Sequence, residues 1–451
     1  MIKDSQSKHF KFKEALSSFD ISIPAPSCIT VGQVKRIVGL TIEATGISAS
    51  IGAQCLIKTQ SLGNDLLCEV IGFDDDLIYL MPLENIEGIS PGSKVVLKTE
   101  KPLGNFSLTL QGRVIDGVGH PIDGKSELDY DELVGLDFQQ NSAMEKANIS
   151  EALETGVKAI DSCFTFGKGQ RMGLIAGSGV GKSVLLAMLA KNTAADVVVI
   201  ALIGERSREV KEFVSETLGE SGLEKSVVIA EPVSASPVRR VKAAKLAHTI
   251  AEQYREQGKD VLLLVDSLTR VAHAQREIGL AIGEPPTTKG YPPSVFGLLP
   301  SLIERVGMGR IGEGSISAFY TVLAENDDRS DPVVDISRAT LDGQIMLSRK
   351  LADASHYPAI DLEGSISRVA DKIASKDHTH LARAVRRLWS IYSQNEDIIQ
   401  IGAYEAGSNP ELDLAIQLKP AIDSFLTQEQ DEIFPLPQTV ELMSEFKQDP
   451  S

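Results

Sequence analysis

The stretch "RMGLIAGSGVGKSVLLAML", residues 171–189, decides the fold. An apolar run typical of a buried strand leads into glycines, and an apolar helical pattern follows the lysine. Glycines at such a turn expose consecutive backbone N–H groups at the positive end of a helix, where they hold phosphate oxygens. The stretch therefore predicts a phosphate-binding loop in an α/β domain.

The residues of this loop have separate expected roles. Lys182 reaches the terminal phosphates as a point charge, and the Ser183 hydroxyl binds Mg²⁺, so the expected cofactors are ATP and Mg²⁺. Ala176 departs from the glycine that opens the strict pattern, which is permitted if its φ is negative. The alternative is a glycine turn before an ordinary helix. The expected nucleotide contacts are Gly177, Ser178, Gly179, Val180, Gly181, Lys182, Ser183 and Val184.

Carboxylates follow two other apolar runs. "VVVIALIGERSRE" (197–209) brings Glu205 and Arg206 to the end of one strand, and "VLLLVDSLTR" (261–270) brings Asp266 to the end of another. Open α/β sheets bind ligands at the carboxyl ends of their strands. Glu205 is expected to deprotonate the attacking water, Asp266 to lie on the Mg²⁺ side, and Arg206 to join the catalytic group. A solvated strand end is the alternative for Glu205.

The sequence changes texture twice, which predicts an α/β P-loop NTPase core between two smaller domains. Short β-type runs with turn signals over 28–98 favour a small β-barrel. Residues 99–368 form the ATPase domain with a mostly parallel sheet, although 112–132 is expected to form turns and an acidic linker. Residues 369–451 are expected to be helical. The apolar runs of the sheet are 172–176, 197–203, 226–230, 261–265 and 316–324.

Composition and charge exclude several classes of function. The chain has 451 residues and a net charge of −17, which argues against wholesale or specific nucleic-acid binding. It has no run long enough for a membrane helix and no signal-peptide core at the N-terminus, so a cytoplasmic location is expected. The cysteines Cys28, Cys55, Cys68 and Cys163 have no ligand spacing and are expected to be reduced.

Several long motifs resemble one known family. They include "LIGERSREVKEF" (202–213), "LDGQIMLSRKLADASHYPAID" (341–361) and "IGAYEAGSNPELDLAI" (401–416). They are similar to the ATPases of type III protein export, relatives of the catalytic subunit of rotary ATP synthases, over about residues 30–430. The resemblance implies a homohexameric ring at the cytoplasmic base of an export apparatus, peripheral to the inner membrane, with ATP bound between subunits.

The resemblance also assigns two residues that spacing does not. Tyr357, in "HYPAID", falls where the family stacks the adenine, and its alternative is a buried core tyrosine. Arg368, in "SISR", falls at the arginine finger that acts on the neighbouring subunit's nucleotide, and its alternative is a surface ion pair. The catalytic set is therefore Glu205, Lys182, Arg368 and Arg206.

Partners follow from the same resemblance. A coiled-coil stalk protein is expected in the central channel, which the loop 283–296 faces. Tyr291→Ala is expected to weaken stimulation by that stalk and to leave basal hydrolysis largely intact. The segment 1–27, with apolar and basic residues in "KHFKFKEALSSF", is expected to dock on a stator-like negative regulator or an anionic membrane, or to be a frayed tail. Export gate membrane proteins, export substrates and their chaperones complete the expected set.

Alternatives within and outside this family remain. "IYLMPLENIEGISPGSKV" (78–95) and "DLEGSISR" (361–368) favour a flagellar export ATPase over the injectisome type. An ATP synthase catalytic subunit and a hexameric RNA translocase share the core. A non-catalytic nucleotide-binding scaffold is disfavoured because Glu205 is present. "HTH" at 378–380 is expected to be an exposed helix start rather than a metal site.

Overall fold

The computed structural model describes residues 30–59, 65–130, 132–136, 144–323 and 331–446. Our predictions for the segment 1–27 and for Cys28 therefore lie outside the described residues. Within them, no helix is long and apolar enough to cross a membrane.

Six antiparallel strands close into a small barrel at the N-terminal end of the described chain, in the order β1-β2-β5-β4-β3-β6. Alternate residues such as Val34, Ile42 and Leu80 point inward and are buried, which is the period of two expected of a barrel. Cys55 and Cys68 face each other across two of these strands as buried free thiols. The strands are β1 Val31–Val38, β2 Thr41–Thr45, β3 Gln54–Ile57, β4 Leu66–Asp74, β5 Leu77–Pro82 and β6 Lys94–Thr99.

A mostly parallel sheet forms the central domain, in the order β17-β16-β10-β15-β13-β11-β12-β8, with β14 paired to β15. Its central strands are buried on both faces, as their continuous apolar runs predict. β7 and β9 form a separate two-stranded sheet. The remaining strands are β7 Leu103–Phe106, β8 Arg113–Ile115, β9 Glu132–Gly135, β10 Arg171–Ala176, β11 Val197–Glu205, β12 Ser226–Pro232, β13 Asp260–Asp266, β14 Gly307–Met308, β15 Ser315–Leu323, β16 Gly343–Leu347 and β17 Ile360–Ser367.

One stretch of this sheet corrects the sequence analysis. Within 112–132, which we expected to form only turns and a linker, β8 pairs in parallel with β12. The Nε atom of Arg113 donates to Asp123 at 2.6 Å and holds the following turn against the strand. Three residues are too short to show a period, so the strand has no signal of its own in the sequence.

Helices flank the sheet and form the C-terminal domain, so the predicted fold class is confirmed. A π-helical turn, Phe213–Leu218, joins α3 to α4. The helices are α1 Lys158–Cys163, α2 Lys182–Asn192, α3 Ser207–Glu212, α4 Gly219–Glu224, α5 Pro237–Glu256, α6 Leu268–Ala281, α7 Pro293–Ile303, α8 Pro332–Thr340, α9 Arg349–Asp353, α10 Ala370–Ile373, α11 Lys376–Gln400, α12 Pro410–Leu426 and α13 Leu436–Met443.

The long helix α11 packs its apolar stripe inward, with Leu381, Val385 and Leu388 buried. Our expectation of an exposed helix start at 378–380 is wrong for His378. That side chain is buried, and its Nε2 atom lies 2.9 Å from the Ser162 carbonyl oxygen, because the first turn of α11 packs on α1.

Tyr291 is more tightly packed than its proline- and glycine-rich loop suggests. Its side chain is buried, and its ring stacks on His273 with centroids 6.1 Å apart. The end of the loop 283–296 is helical, because α7 begins at Pro293. Tyr291 and Phe296 pack into the same hydrophobic cluster. The Tyr291 side chain is therefore a core residue, and the expected effect of Tyr291→Ala on stimulation by a stalk protein stays a prediction.

The barrel rests on the central domain through a small apolar cluster. Ile71 and Met81 from the barrel contact Val238 and Val241 of α5, together with Ile278 of α6. Because these residues are buried on both sides of the contact, the barrel is held against the helices that follow β12 and β13.

Candidate active site

The phosphate-binding loop has the geometry that its glycines predict. β10 ends at Ala176, which is buried and is not among the positive-φ residues, so the departure from glycine costs no strain. Gly179 and Gly181 have φ values of 74° and 86°, a region that favours glycine. Helix α2 begins at Lys182 directly after Gly181, so its first N–H groups point into the loop.

Charged side chains from one helix and the ends of two strands meet at this loop. The Nζ atom of Lys182 lies 2.6 Å from Oδ1 of Asp266 and 3.6 Å from Oε1 of Glu205. The hydroxyl of Thr321 donates to the same Asp266 oxygen at 2.8 Å and fixes its orientation. The parallel order of β10, β13 and β11 brings these groups to one edge, as the sequence analysis predicts.

The environment of Glu205 suits a proton acceptor. Burial, helped by the negative charge of Asp266, raises the pKa of its carboxyl to about 7, although the charge of Lys182 acts in the opposite direction. A carboxyl with a pKa near 7 is available as a base close to neutral pH. The geometry thus gives Glu205 a strongly altered acidity within reach of the phosphate loop.

A cleft of about 1100 Å³ opens over these residues. Of the nucleotide contacts predicted in the phosphate loop, 177–184, it contains all but Val180, whose side chain is buried in the core and leaves only its backbone for a ligand. The cleft is lined by Ala176, Gly177, Ser178, Gly179, Gly181, Lys182, Ser183, Val184, Gly204, Glu205, Arg206, Glu209, Val233, Arg270, Leu323 and Arg349.

Arg206 lies at the mouth of the cleft. Its side chain is 81% exposed, and its Nη1 atom lies 3.4 Å from Oε1 of Glu209. An exposed guanidinium in such a weak ion pair is available to an anion that enters the cleft.

Three further charged residues of the cleft, Glu209, Arg270 and Arg349, were missed by the sequence analysis. Arg270 follows Asp266 by four residues and packs on Gly204, where a Cβ atom would come within 2.9 Å of its side chain. Arg349, from α9, donates to the Ser178 carbonyl at 2.7 Å, and Glu209 pairs with Arg206. Arg270 could have been predicted, because it lies in the first turn of the helix that follows the strand ending at Asp266. Arg349 comes from a distant segment, and no spacing in the sequence indicates its place in the cleft.

Tyr357 lies beside the loop rather than in the cleft lining. A Cβ atom at Gly181 would be 3.3 Å from its ring, and its side chain is 44% exposed. The Tyr357 carbonyl accepts a hydrogen bond from the Gln428 N–H at 2.9 Å, which ties the segment to the C-terminal domain. An exposed ring next to the phosphate loop suits a flat heterocycle, whereas a core tyrosine would be buried.

Arg368 lies elsewhere. It follows β17, which runs antiparallel to β16 with Ser367 opposite Gly343, and β16 is parallel to β10. Arg368 is therefore at the edge of the sheet opposite the phosphate loop, and the described residues lining the cleft do not include it. Its side chain is exposed, with Nη2 donating to the Arg338 carbonyl at 3.3 Å, and no ion pair between described residues involves it.

Among the described residues, no group of three or more histidine, cysteine, aspartate or glutamate side chains is arranged to hold a metal ion. The oxygens suited to Mg²⁺ are instead those at the loop, on Ser183 and Asp266.

Models of known protein families match three parts of the chain. The beta-barrel domain of the ATP synthase alpha/beta family matches residues 34–97, and its nucleotide-binding domain matches residues 156–367. The T3SS EscN ATPase C-terminal domain matches residues 374–445. The order of the three matches is the order of barrel, sheet and helical domain in the structure.

Curated relatives are similar over nearly the whole chain. A "Flagellum-specific ATP synthase" of Pseudomonas aeruginosa strain PAO1 is 49% identical over 91% of this chain and 92% of its own. One of Salmonella typhimurium strain LT2 is 48% identical over 92% and 93%. The chain belongs to the type III protein export ATPase family. A "Type 3 secretion system ATPase" of Xanthomonas euvesicatoria is 44% identical over 93% of this chain and 94% of its own.

Solved structures agree with this family. The assembled ATPase EscN of the enteropathogenic E. coli type III secretion system has a TM-score of 0.86 at 40% identity, covering 92% of this chain and 99% of that one. EscN in complex with its central stalk EscO has a TM-score of 0.85 at 39% identity, with the same coverage. The export ATPase described here is thus an ATP-binding hydrolase with the fold that its sequence predicts.

Proposed function

We propose that this export ATPase hydrolyses Mg²⁺–ATP at the subunit interfaces of a homohexameric ring that supports flagellar protein export. The observation that carries the proposal is the position of Arg368. Because β17 runs antiparallel to β16, the Arg368 guanidinium lies at the edge of the sheet opposite the phosphate loop of its own subunit. Only a neighbouring subunit can bring this guanidinium to the nucleotide.

Each residue of the cleft has a proposed role. Lys182 binds the terminal phosphates, and the N–H groups of 177–184 hold the phosphate oxygens. Ser183 and Asp266 hold Mg²⁺, which neutralises phosphate charge when bound, since hydroxyl and carboxylate oxygens are its preferred ligands. Tyr357 stacks on the adenine, and Arg206 binds γ-phosphate oxygens at the mouth of the cleft.

Hydrolysis then follows from Glu205. Its carboxylate accepts a proton from a water molecule, the water oxygen bonds to the γ-phosphorus, and the bond from that phosphorus to the ADP oxygen breaks. The products are ADP and inorganic phosphate. Arg368 of the neighbouring subunit stabilises the charge that develops on the equatorial oxygens, where an arginine fork is well suited to phosphate.

The flagellar assignment and the partners belong to the same proposal. The flagellum-specific relatives named above are 48–49% identical, against 44% for the secretion-system relative. The solved complex of EscN with its central stalk EscO supports a stalk protein in the channel of this ring as well. Export gate proteins, substrates and chaperones are further proposed partners, at the cytoplasmic face of the inner membrane.

The proposed division of the chain assigns 1–27 to docking on a stator-like regulator, 28–98 to the barrel, 99–368 to the ATPase domain and 369–451 to the helical domain. The matched family models support the last three segments.

Two measurements test the proposal. Phosphate release per subunit, followed against protein concentration with sedimentation in parallel, should rise as rings form and vanish when Mg²⁺ is chelated. Activity of a monomer equal to that of the ring would contradict it. In the source bacterium, deletion of the gene should abolish motility and flagellin export, with Glu205→Gln as the matched inactive variant. Loss of virulence-protein secretion with intact motility would instead favour an injectisome ATPase.

A further inference from the structure

A small hairpin projects from the sheet edge that carries Arg368. It spans 307–316, from β14 to the start of β15, and we call it the edge hairpin. At its tip, Ile311 is 93% exposed, more than any other isoleucine among the described residues. The hairpin lies at the N-terminal end of β15, opposite the phosphate loop.

The edge hairpin is held rigidly. The Gly309 N–H donates to the Gly314 carbonyl at 3.0 Å, and the Gly314 N–H donates to the Arg255 carbonyl at the end of α5 at 3.0 Å. A Cβ atom at Gly314 would lie 1.9 Å from the Lys259 carbonyl oxygen, so the backbone packs as closely as glycine permits. A preorganised tip presents Ile311 at little entropic cost to a partner.

A second cleft, of about 840 Å³, lies between the barrel and the central domain, and we call it the barrel cleft. Its lining includes three half-exposed apolar side chains, Leu40 from the barrel and Ile122 and Val233 from the central domain. Its charged groups are largely paired with one another, since Arg239 bridges Asp116 at 2.8 Å and Glu231 at 3.0 Å. The cleft thus offers apolar surface around a satisfied polar floor.

The barrel cleft adjoins the nucleotide cleft, because Val233 lines both. In the proposed ring, the nucleotide cleft faces the neighbouring subunit that supplies Arg368. The same neighbour therefore extends over the barrel cleft, and a ring repeats this one contact between unlike faces six times.

The order of the strands gives the lateral offset between the two subunits in that contact. Arg368 follows β17, the first strand in the order, and its target lies in front of the fourth and fifth strands, β15 and β13, between Lys182 and Glu205. The shift along the sheet is thus three to four strands. Applied to the edge hairpin on the fourth strand, the same shift reaches the seventh and eighth strands, β12 and β8, whose ends form the barrel cleft.

We propose that Ile311 of one subunit inserts into the barrel cleft of the next subunit and forms a second contact of the ring beside the active site. The proposal rests on the proposed function, since it requires the ring. It identifies the occupant as another copy of this chain, seated by the same contact that delivers Arg368.

Cross-linking tests the contact directly. Cysteines are placed at Ile311 and Ile122 in a Cys28→Ser background, in which Cys55, Cys68 and Cys163 stay buried. Rings treated with a short bis-maleimide should give ladders up to six chains for the double variant and single chains for either variant alone. The matched control pairs Ile311→Cys with Ile401→Cys, an exposed residue at the end of α11, and should give no ladder.

An assembly measurement adds a second arm. Ile311→Asp should raise the protein concentration for half-maximal ring formation on the order of tenfold, as expected when one buried apolar contact is lost per interface. Its unfolding temperature should not change, because the side chain is exposed within the subunit. Ile401→Asp should leave assembly unchanged.

The outcomes separate this contact from the ring itself. Absence of any ring in the wild-type protein would overturn the proposed function and the contact together. Rings in which Arg368 acts between subunits, but whose Ile311 and Ile122 cysteines do not cross-link, would overturn the contact alone. A ladder from the Ile401 control would also overturn it, because the cross-linking would then be unspecific.

Discussion

The two edges of the central sheet differ in the burial and pairing of their functional charged side chains. At the phosphate-loop edge, the side chains of Lys182, Glu205 and Asp266 are largely buried. The Nζ atom of Lys182 lies within 3.6 Å of a carboxylate oxygen of each of the two acids. At the opposite edge, Arg368 is exposed, and its guanidinium donates to the Arg338 carbonyl oxygen of the described chain. One edge is a partly assembled site. At the other edge the guanidinium of Arg368 forms no ion pair with a described residue, although the nearby Arg171 is paired with Asp342.

This difference has a physical reason. Charges that are buried within one subunit need partners there, since an unpaired buried charge costs several kcal/mol. A charge intended for a neighbour stays hydrated until the subunits meet. In the ring that we propose, each subunit therefore carries two incomplete halves, and the complete site exists only where unlike edges face each other.

The largest effect is expected at the exposed edge. Arg368→Ala should lower the turnover rate by about 10³- to 10⁵-fold while ATP still binds, as for other arginine fingers. Steady-state phosphate release and fluorescent nucleotide binding measure the two quantities. Arg383→Ala removes another exposed arginine, paired with Asp371, and should leave both unchanged. A loss below tenfold for Arg368→Ala would mean that the two edges do not share the chemistry.

At the buried edge, Glu205→Gln should lower turnover by about 10²- to 10⁴-fold, because the amide keeps the shape but cannot accept the proton. Nucleotide affinity should persist or increase. Glu209→Gln, four residues further on and in the same cleft, is the matched control and should retain most activity. Near-normal phosphate release from Glu205→Gln would assign the base elsewhere.

The acidity of Glu205 makes the buried edge sensitive to pH. Burial and Asp266 raise its pKa to about 7, and a general base must be deprotonated. With Mg²⁺ in excess, kcat/KM should therefore fall about tenfold per pH unit below 7 and level off above it. The profile is measured on the wild type and on Glu205→Gln, whose residual activity should lose this limb. A flat wild-type profile between pH 5.5 and about 8 would contradict the assignment.

The smallest effect is expected at Tyr357, which lies beside the phosphate loop. Tyr357→Ala should weaken ATP affinity about tenfold, the scale of one base stacked on an aromatic ring, with little change in turnover. Tyr357→Phe keeps the ring and should behave like the wild type. An equal loss for ATP and for inorganic triphosphate would show that the ring supports the loop rather than the adenine.

The sequence predicts the buried edge well because its signals are local. Strand, glycine loop and lysine are contiguous in 171–189, and parallel strands must end at one edge, so Glu205 and Asp266 could be placed near Lys182 without coordinates. The opposite edge is different. The antiparallel direction of β17, which sends Arg368 away from its own nucleotide, leaves no periodic signal in the sequence, and only the family resemblance assigned it.

The sequence analysis falls short where packing overrides local composition. Tyr291 lies in a proline- and glycine-rich loop, but α7 and the ring of His273 bury it. His378 stands at a polar helix start that packs onto α1. Arg349 reaches the phosphate loop from 171 residues away, a contact that no spacing in the sequence predicts.

The central claim is that each active site is completed by the opposite edge of a second subunit. A Lys182→Ala subunit has a defective cleft and an intact Arg368, and an Arg368→Ala subunit has the reverse. When the two are mixed equally and assembled at random, about one interface in four joins an intact cleft to an intact arginine, by probability over unlike contacts. The measurement is phosphate release by verified mixed rings. We expect activity to reappear at up to that fraction while either variant alone stays inactive, and no recovery in mixed rings would contradict the claim.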